Sequence, residues 1–546
     1  MSATAATPGI AAGRRAASHW TRVCAVDDIV PDTGVAALVG GRQIAIFRVS
    51  DGVHAIGNHD PASGVNVLSR GLVGDLGGEL VVASPIYKQH YSLITGRCLE
   101  ETQLSVPTYL TRITDGQIWV QGQPATPRPH RARRRLVVVG NGMAAMRAVE
   151  ELLELAPNAC EITVFGAEPY GSYNRILLSP LLAGAKRVEE VITHPPAWYA
   201  ERGIALHSGD PVERIDRVRR CVVSRGGRQV EYDRLLIATG SHAIVLPVPG
   251  RDLAGVLTFR DLHDVDAMLD GARSGRRAVI IGGGLLGLEA AHGLQLRGME
   301  VTVVHLASHL MERQLDAEAA ALLRAELESR GMKFELSAKT QEITGDGRVT
   351  GVRLADGREL PADLVVMAVG VRPNVDLARA AGLTCDRGIL VDDTMATYDP
   401  TIYAVGECVQ HRNKTFGLVA PLWDQASVCA AHLAERGVRR YRNAQFGVQL
   451  KVSGIDVFSA GDYSDSDGAE SLVLRDPRRG IYKRLVIANH RLRGVVLYGD
   501  TRDGSWYFDL INDQRDIASM RRQLLFGAVA ADAVAAEMAG SPARVQ

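Results

Sequence analysis

The chain has 546 residues, which predicts three to four domains at roughly 150 residues per domain. Its 62 basic and 62 acidic side chains cancel, which argues against a nucleic acid or an acidic membrane as the main partner. No apolar run reaches the roughly 18 residues of a membrane span, and no two of the seven cysteines form a C-x-x-C pair. The cysteine pattern is typical of reduced thiols in the cytoplasm.

The N-terminal part predicts an all-β domain behind a disordered start. Residues 1–19 are expected to be disordered, because they lack the apolar core of a signal peptide. Residues 20–121 alternate short strands and turns, with hairpin signals at Asp51-Gly52 and Asp115-Gly116. The stretches NHDPASGVNVLSRGLVGD and VVASPIYKQHYSLITGRC resemble the Rieske-like small subunit of assimilatory nitrite reductases.

A Rieske centre needs Cys-x-His in one loop and Cys-x-x-His in another, because two thiolates and two imidazoles hold its irons. By the resemblance, the four ligand positions hold Asn58, Asp60, Ser84 and Tyr87. The neighbouring His59 and His90 are interpreted as hydrogen-bonding loop residues, because no cysteine accompanies them. The domain is therefore expected to have no iron–sulfur cluster and no other metal, and to have a binding or structural role.

A dinucleotide-binding fingerprint follows the first domain. Residues 122–133 contain three prolines and several arginines, and they predict a stiff linker. The next residues predict a buried strand, a glycine turn and a helix, with Gly140, Gly142 and Ala145 at the three fingerprint positions. The first glycine permits the tight turn, the second lets a pyrophosphate approach the backbone, and the alanine permits close helix–strand packing.

A second copy of the fingerprint has Gly282, Gly284 and Gly287 at the same positions, so the chain is predicted to bind two dinucleotides. In the second copy, His305 occupies the place where NADH enzymes usually carry Asp or Glu. The choice between NADH and NADPH therefore stays open. Glu289, on the helix after the glycines, either reaches toward the nicotinamide or is an ordinary helix carboxylate.

Two stretches are predicted to lie beside the flavin. Glu168 follows the strand after the helix of the first fingerprint. It is the candidate acceptor of a hydrogen bond from an adenosine ribose hydroxyl. Tyr173-Asn174-Arg175 resembles the stretch beside the flavin in rubredoxin reductases and in the large subunit of nitrite reductases. By this resemblance Asn174 and Arg175 lie near the isoalloxazine; the alternative for Arg175 is a capping or pairing role at the surface. The stretch contains no cysteine, which argues against the redox-thiol relatives.

Small residues end two further strands, and by the resemblance their turns bring the backbone close to a cofactor. Thr239 and Gly240 end the strand RLLIATG, and Gly370 ends the similar strand in DLVVMAVGVRPN. Gly406-Glu407 in TIYAVGEC resembles the second flavin motif of the same reductases. That resemblance implies that the Glu407 carboxylate accepts a hydrogen bond from the ribityl chain.

The resemblance covers residues 20 to about 510 and implies a small nitrite reductase subunit fused to the flavin half of a large subunit. It places the chain in the pyridine nucleotide-disulfide oxidoreductase superfamily. The expected fold is multidomain α/β and β: a Rieske-like β domain, two Rossmann-type domains of which the NAD(P) domain is inserted in the FAD domain, and a small α+β interface domain. The predicted limits are 20–121, 134–255 with 375–437 for FAD, 256–374 for NAD(P), 440–512 for the interface domain, and 513–546 for a helical tail.

The implied function is an FAD-dependent NAD(P)H oxidoreductase with no catalytic side chain, in which Arg175 and Glu289 are candidate positioning residues. Nitrite reductases of this kind continue with iron–sulfur and sirohaem domains, which this sequence lacks, so it is expected to pass electrons to a separate acceptor. That acceptor is a sirohaem nitrite reductase, a nitrate reductase or a ferredoxin-like protein. The alternatives are a general ferredoxin or rubredoxin reductase, and a flavin-binding redox sensor or scaffold. A homodimer stays open.

Overall fold

The computed structural model describes residues 20–49, 52–76, 79–101, 103–125, 133–436, 439–443, 447–464 and 468–531. Contacts divide the chain into two units, residues 1–134 with 153–160 and residues 135–152 with 161–546. The predicted disordered start lies outside the described residues, as do Asp51 and most of the predicted linker. Within the described ranges, no helix combines the length and the apolar character needed to cross a membrane.

Residues 20–124 form β structure, as the alternation of short strands and turns predicts. The strands are β1 (Trp20–Ala25), β2 (Thr33–Val39), β3 (Arg42–Val49), β4 (Gly52–Gly57), β5 (His59–Asp60), β6 (Val65–Asn66), β7 (Leu72–Leu76), β8 (Glu79–Ala83), β9 (His90–Ser92), β10 (Thr108–Thr114) and β11 (Gln117–Pro124). They form a six-stranded sheet in the order β1-β11-β10-β4-β3-β2, a three-stranded sheet β7-β8-β9 and the hairpin β5-β6. The last strand extends into the predicted linker as far as Pro124.

The β10–β11 hairpin turns at Asp115 and Gly116, whose φ angles are 52° and 70°. This is the two-residue turn that the Asp-Gly signal predicts, because both central residues need a positive φ. Strand β3 is buried on both faces. Because successive side chains point to opposite faces, Phe47 packs in one apolar cluster and Ile46 in another.

The chain continues with the elements of the first predicted Rossmann-type fold. They are β12 (Arg134–Val139), α1 (Met143–Leu155), β13 (Cys160–Phe165), β14 (Ser172–Tyr173), α2 (Leu178–Ala183), α3 (Val188–Val191), β15 (Ile192–His194), α4 (Pro196–Glu201), β16 (Ala205–His207), β17 (Val212–Asp216), β18 (Cys221–Ser224), β19 (Gln229–Glu231), β20 (Arg234–Ile237) and β21 (Ser241–Ala243).

The second predicted Rossmann-type fold follows. Its elements are β22 (Val256–Thr258), α5 (Leu262–Ser274), β23 (Arg277–Ile281), α6 (Leu285–Leu296), β24 (Glu300–Val304), α7 (Ala317–Ser329), β25 (Lys333–Glu335), β26 (Thr340–Asp346), β27 (Arg348–Leu354), β28 (Glu359–Pro361), β29 (Leu364–Met367) and β30 (Val371–Pro373).

The remaining elements complete the first Rossmann-type fold and build the C-terminal sheet. They are α8 (Asp376–Ala380), β31 (Ile389–Leu390), β32 (Ile402–Ala404), β33 (Val409–His411), β34 (Lys414–Thr415), α9 (Val419–Leu433), β35 (Val448–Val452), β36 (Ile455–Gly461), β37 (Glu470–Asp476), β38 (Ile481–Ala488), β39 (Arg491–Tyr498) and α10 (Gly504–Asn512).

Two five-stranded sheets carry the two fingerprints. The first has the order β16-β13-β12-β20-β32 and the second the order β22-β29-β23-β24-β25. The pairs β16–β13, β12–β20 and β20–β32 are parallel, as are all four pairs of the second sheet. The strands that lead into the glycine turns are short runs of Val, Ile and Leu, because both faces of a parallel strand are covered.

The connection between these sheets confirms that one dinucleotide fold is inserted in the other. The chain leaves the first sheet after β20, builds the whole second sheet, and returns to pair β32 with β20. Strands β21 and β30, the outgoing and returning segments, pair with each other in an antiparallel ribbon. The two crossings are therefore held side by side.

The C-terminal part is an antiparallel sheet in the order β35-β36-β39-β38-β37, covered by α10. The predicted helical tail is described as far as residue 531 and starts at residue 513. The regular helix α10 lies before that point, because Tyr507, Leu510 and Ile511 are the apolar side chains that pack on the sheet. The described residues that follow contain two single 3₁₀ turns, Ala518–Met520 and Leu524–Phe526, and α-helix at residues 528–531; the rest of the predicted tail lies outside the described residues.

Candidate functional site

The first glycine turn has the geometry of a phosphate-binding turn. Gly140 has a φ of 110°, and a Cβ built on it would lie 2.2 Å from the carbonyl oxygen of Ala238. A Cβ on Gly142 would meet nothing within 4 Å, so its open side is space for a ligand. Ala145 is fully buried in the first turn of α1. In the glycine turn itself, the Nδ2 atom of Asn141 is buried and meets no hydrogen-bond partner among the described residues.

The second turn repeats this geometry. Gly282 has a φ of 122°, and a Cβ on it would lie 2.3 Å from the Ala368 carbonyl oxygen. A Cβ on Gly284 would again meet nothing within 4 Å, whereas one on Gly287 would lie 1.9 Å from the Gly282 carbonyl oxygen. Each turn thus leads into a helix whose N-terminal N–H groups and dipole suit a pyrophosphate. The residues at both turns fit a bound dinucleotide.

Thr239, Gly240 and Gly370 lie where the chain crosses between the two sheets. The Thr239 hydroxyl donates to the Asn374 carbonyl oxygen at 2.8 Å, and the Asn374 N–H donates to the Gly240 carbonyl oxygen at 2.9 Å. The Gly370 carbonyl oxygen accepts from the Ile244 N–H at 3.0 Å. These small residues therefore join the outgoing and returning crossings as well as ending their strands.

A half-buried ion-pair cluster contains the predicted ribose acceptor. The Glu168 carboxylate accepts from the Arg175 guanidinium at 2.5 Å and from the Tyr173 hydroxyl at 2.7 Å. The guanidinium also lies over the Tyr173 ring, 4.9 Å from its centroid. Burial raises the pKa of Tyr173 above its usual value; Arg175 opposes the rise and Glu168 adds to it. Asn174 caps the following 3₁₀ turn by accepting from the Ile176 N–H.

The same cluster continues to Glu407 through residues that sequence reasoning did not identify. Glu407 accepts from the Ser241 hydroxyl at 2.7 Å and forms an ion pair with Arg260. The Arg260 carbonyl oxygen in turn accepts from Arg175 at 3.0 Å. Glu168, Arg175 and Glu407, predicted from separate stretches, therefore belong to one network. No motif marked Arg260, which lies between a short strand and the N-cap of α5.

Gln425 of α9 contacts the second flavin motif. Its Oε1 atom accepts from the Gly406 N–H at 2.9 Å, so the helix is tied to the turn that Gly406 and Glu407 form. Its Nε2 atom is buried and has no partner in the part of the chain that the structure describes. A buried amide needs an acceptor, and the neighbouring Tyr441 hydroxyl can supply one within the protein.

Glu289 projects from α6 toward α2. Its carboxylate accepts from the Ser179 hydroxyl at 2.5 Å. Burial raises the pKa of Glu289 above its usual value, and the hydrogen bond from Ser179 opposes the rise. Its contact therefore joins the two Rossmann-type folds, because α2 belongs to the first and α6 to the second.

His305 lies under the second glycine turn. It is 8% exposed, its Nδ1 atom accepts from the Gly283 N–H at 3.1 Å, and its Nε2 atom lies 3.1 Å from a carboxylate oxygen of Glu312. Both ring nitrogens therefore have partners within the protein. Glu312 was not among the residues predicted from the sequence.

In the N-terminal β structure (residues 20–124, the β unit), a hydrogen-bond network joins the two loops that would hold a Rieske cluster. Asp60 is fully buried and accepts from the hydroxyls of Ser84 at 2.7 Å and Tyr91 at 2.8 Å. It accepts further from the Ser63 hydroxyl and from the Ala62 N–H. A carboxylate thus stands at one of the four ligand positions and is bonded to Ser84, which stands at another.

The other ligand positions also have side chains unsuited to a cluster. Asn58 is buried and accepts from the Ser69 N–H at 2.8 Å, whereas Tyr87 is 63% exposed. The two neighbouring histidines form hydrogen bonds in the loops, as interpreted from the sequence: His59 with Asn66 and His90 with Glu100. Across the described part of the chain, no group of three or more His, Cys, Asp or Glu side chains is placed to hold a metal ion. These residues do not fit an iron–sulfur cluster.

Three protein-family models match the chain. Residues 134–445 match the pyridine nucleotide-disulphide oxidoreductase model, residues 19–121 the Rieske-like [2Fe-2S] domain, and residues 448–515 the rubredoxin NAD+ reductase C-terminal domain. These matches agree with the order of domains that the sequence predicts.

Individual relatives match most of the chain. A nitrite reductase [NAD(P)H] from Bacillus subtilis is 47% identical over 386 residues, which are 71% of this chain and 48% of that protein. An assimilatory nitrate reductase electron transfer subunit of the same organism is 42% identical over 393 residues, which are 72% of this chain and 51% of that protein. The chain thus spans about half the length of these relatives.

The fold is also similar to that of solved reductases. The crystal structure of a covalent putidaredoxin reductase–putidaredoxin complex matches with a TM-score of 0.66 and 26% identity, covering 75% of this chain and 100% of that one.

Proposed function

Because the chain belongs to the pyridine nucleotide-disulphide oxidoreductase family, we propose that it is an FAD-dependent NAD(P)H oxidoreductase that passes electrons to a separate acceptor protein. The observation that carries the proposal is the pair of equivalent glycine turns, each with an open side at its second glycine. Two dinucleotides, one at each turn, are what hydride transfer from a nicotinamide to a flavin requires.

When bound, FAD supplies the chemistry, since it accepts a hydride from the nicotinamide and can release the electrons one at a time. The protein binds and orients the two dinucleotides. The N-termini of α1 and α6 bind the pyrophosphates, and Gly142 and Gly284 let them approach the backbone. Ser241 and Arg260 hold the Glu407 carboxylate in a fixed orientation. In the family, the carboxylate at this position accepts a hydrogen bond from the ribityl chain of the flavin.

Glu168 and Arg175 have a positioning role in this proposal. Glu168 holds the Arg175 guanidinium over Tyr173, and Arg175 also donates to the Arg260 backbone. The half-buried, paired guanidinium of Arg175 is expected to fix the wall of the flavin site, because its five donors bind in a rigid geometry. Glu289 is proposed to lie on the nicotinamide side, where its bond to Ser179 orients α6 against α2. We propose that Asn174 acts by capping the turn that carries Arg175.

The proposed acceptor is a protein of nitrite or nitrate assimilation: a sirohaem nitrite reductase or a nitrate reductase. The names of the two Bacillus subtilis relatives support this choice. A ferredoxin-like acceptor is the second candidate, favoured by the similarity to a reductase solved in complex with putidaredoxin. A cytoplasmic location is proposed because all seven cysteines are free thiols. A homodimer stays a prediction.

The test of the proposed function is the activity of the purified chain. With NAD(P)H it is expected to reduce ferricyanide or a dye steadily, and to form no ammonium from nitrite. Nitrite reduction takes six electrons and needs a metal centre that holds the nitrogen, and this chain offers no such group among its described residues. Adding a sirohaem nitrite reductase is expected to produce nitrite-dependent NAD(P)H oxidation.

Three outcomes would argue against parts of this proposal. Ammonium formed by the chain alone would overturn it, and slow dye reduction would favour a redox sensor. Faster turnover with a ferredoxin than with the sirohaem enzyme would favour the general reductase. Removing residues 1–128 tests whether the β unit docks the acceptor or is needed for folding. If it docks the acceptor, the shortened protein is expected to lose the coupled reaction and to keep dye reduction. Equal loss of both activities would mean that it is needed for folding.

We also propose that the β unit contains no iron–sulfur cluster, although its family model is named for one. The Asp60 network supports this, because a carboxylate bonded to two serines and a tyrosine has replaced the ligand set. The purified protein is expected to contain about one FAD per chain and no stoichiometric iron. Iron and sulfide analysis with EPR after reduction measures this directly, and a cluster signal would contradict the proposal.

A further inference from the structure

We infer that Glu312 supplies the carboxylate that recognises the adenosine ribose of the nicotinamide dinucleotide, and that it makes NADH the preferred substrate. This inference rests on the proposed function, because it assigns a substrate to the second glycine turn. In dinucleotide folds the recognising acid usually ends the second strand, where its side chain accepts from the ribose 2′-hydroxyl. Here that place is held by His305, which has no acidic group.

The imidazole of His305 is directed at the glycine turn rather than at solvent. Its Nδ1 atom accepts from the Gly283 N–H at 3.1 Å. A Cβ built on Gly283 would lie 2.8 Å from the ring, so the turn and the ring are in close contact. Because Nδ1 accepts, the ring proton is on Nε2, and this atom donates to the Glu312 carboxylate at 3.1 Å.

The backbone of the following loop fixes Glu312 at the same turn. The Met311 N–H donates to the Gly283 carbonyl oxygen at 3.0 Å, and the Leu310 side chain packs against Gly283. Met311 has a φ of 51°, a left-handed conformation that a non-glycine residue adopts only where its surroundings impose it. Gly283 therefore contacts the loop through its N–H, its carbonyl and its Cα, and the loop carries Glu312 to the edge of the turn.

The Glu312 carboxylate is available to a ligand. The side chain is 39% exposed, and its second oxygen, Oε1, meets no donor within the described ranges. One oxygen is thus held by His305 while the other can accept from a ribose hydroxyl. A fixed negative charge at this place also repels the 2′-phosphate of NADPH, so it favours NADH.

Two neighbouring residues have different roles in this arrangement. His305 is a positioning residue, because it acts on the dinucleotide through Glu312. Arg313 is exposed and follows Glu312 in the sequence. Once the Glu312 carboxylate is removed, Arg313 is the nearest cation along the chain for a 2′-phosphate.

The test measures binding of the adenosine halves without turnover. Isothermal titration of the FAD-loaded full chain with ADP-ribose and with 2′-phospho-ADP-ribose compares the wild type with Glu312→Gln. The wild type is expected to prefer ADP-ribose by at least about tenfold, equivalent to about 1.4 kcal/mol. Glu312→Gln is expected to lower that preference about tenfold. Glu328→Gln, on the exposed face of α7, is the matched control and is expected to leave the preference unchanged.

Two His305 variants test the positioning role. The amide of His305→Gln can still reach Glu312, whereas His305→Asn is shorter and keeps at most the bond to the turn. His305→Asn is expected to raise the KM for NADH several-fold and to leave kcat for dye reduction unchanged. His305→Gln is expected to have a KM for NADH close to that of the wild type. A purely structural role would instead lower flavin content and kcat in both variants.

The outcomes separate this inference from the function on which it rests. A wild type that binds 2′-phospho-ADP-ribose more tightly, or a Glu312→Gln protein with an unchanged preference, overturns the role of Glu312 and leaves the reductase proposal intact. A wild type that binds neither fragment while NAD(P)H still reduces the dye shows that ribose recognition lies elsewhere. A wild type that binds neither fragment and is not reduced by NAD(P)H overturns the proposed function itself.

Discussion

Gly284→Asp is expected to abolish reduction by NAD(P)H while FAD stays bound, and Gly142→Asp is expected to give a folded protein without FAD. Neither glycine has a positive φ, and a Cβ on either would meet nothing within 4 Å. The protein is therefore expected to fold with an aspartate at either position. Its carboxylate would occupy the space left for a pyrophosphate, and like charges about 4 Å apart repel by about 4 kcal/mol at an effective dielectric constant of about 20.

That repulsion is equivalent to about 1,000-fold in affinity, so a loss of at least about 100-fold is expected. For Gly284→Asp, stopped-flow absorbance measures the rate of flavin bleaching by NAD(P)H, and dithionite is expected to bleach the same flavin normally. For Gly142→Asp, the ratio of flavin to protein absorbance is measured. Gly74→Asp, another open glycine in the β unit, is the matched control and is expected to change neither quantity. Flavin loss in Gly284→Asp would exchange the two assignments.

Asp60→Ala is expected to destabilise the β unit by about 2 to 6 kcal/mol, because each of two buried hydroxyls left without an acceptor costs about 1 to 3 kcal/mol. Asp60 is fully buried and accepts from three hydroxyls and one backbone N–H. An alanine would leave the Ser84 and Tyr91 hydroxyls buried without this acceptor, and unsatisfied buried donors are costly. The two loops that Asp60 joins would therefore separate more easily.

Hydrogen exchange of the full chain, followed by mass spectrometry, measures this effect region by region. Peptides from residues 52–101 are expected to exchange faster in Asp60→Ala, and peptides from the two Rossmann-type folds at the wild-type rate. Asp27→Ala is the matched control, because Asp27 is an exposed aspartate of the same unit with an ion pair to Arg48. An exposed pair of this kind contributes at most about 1 kcal/mol. Equal exchange in both variants would mean that the network does not hold the loops.

The same carboxylate makes the β unit sensitive to acid. Burial disfavours the charged form of Asp60, but the hydrogen bonds from Ser84, Ser63, Tyr91 and Ala62 outweigh it and hold the pKa below its usual value. A lowered pKa contributes stability above the unfolded-state pKa of about 3.9. That contribution is lost as the pH falls through the lower, folded-state pKa. The difference in exchange between Asp60→Ala and wild type is therefore expected to shrink below about pH 4.

The sequence by itself determined the parts of the protein that depend on local spacing. Each fingerprint spans only six residues, from Gly140 to Ala145 in the first copy and from Gly282 to Gly287 in the second. The spacing within each copy therefore predicts the strand, turn and helix by itself. The family comparisons confirm the predicted order of domains. The β10–β11 turn is equally local, because Asp-Gly satisfies its need for two positive φ angles.

The tertiary structure alone decided which distant side chains meet. Glu407 pairs with Arg260, 147 residues away, and Asp60 with Tyr91, 31 residues away, and no spacing rule connects such positions. Sequence position put His305 at the ribose, but the packing of Leu310 and Met311 under the glycine turn directs its ring inward and leaves Glu312 at the edge. A side chain's direction depends on what packs around it, and those neighbours come from parts of the chain that only folding brings together.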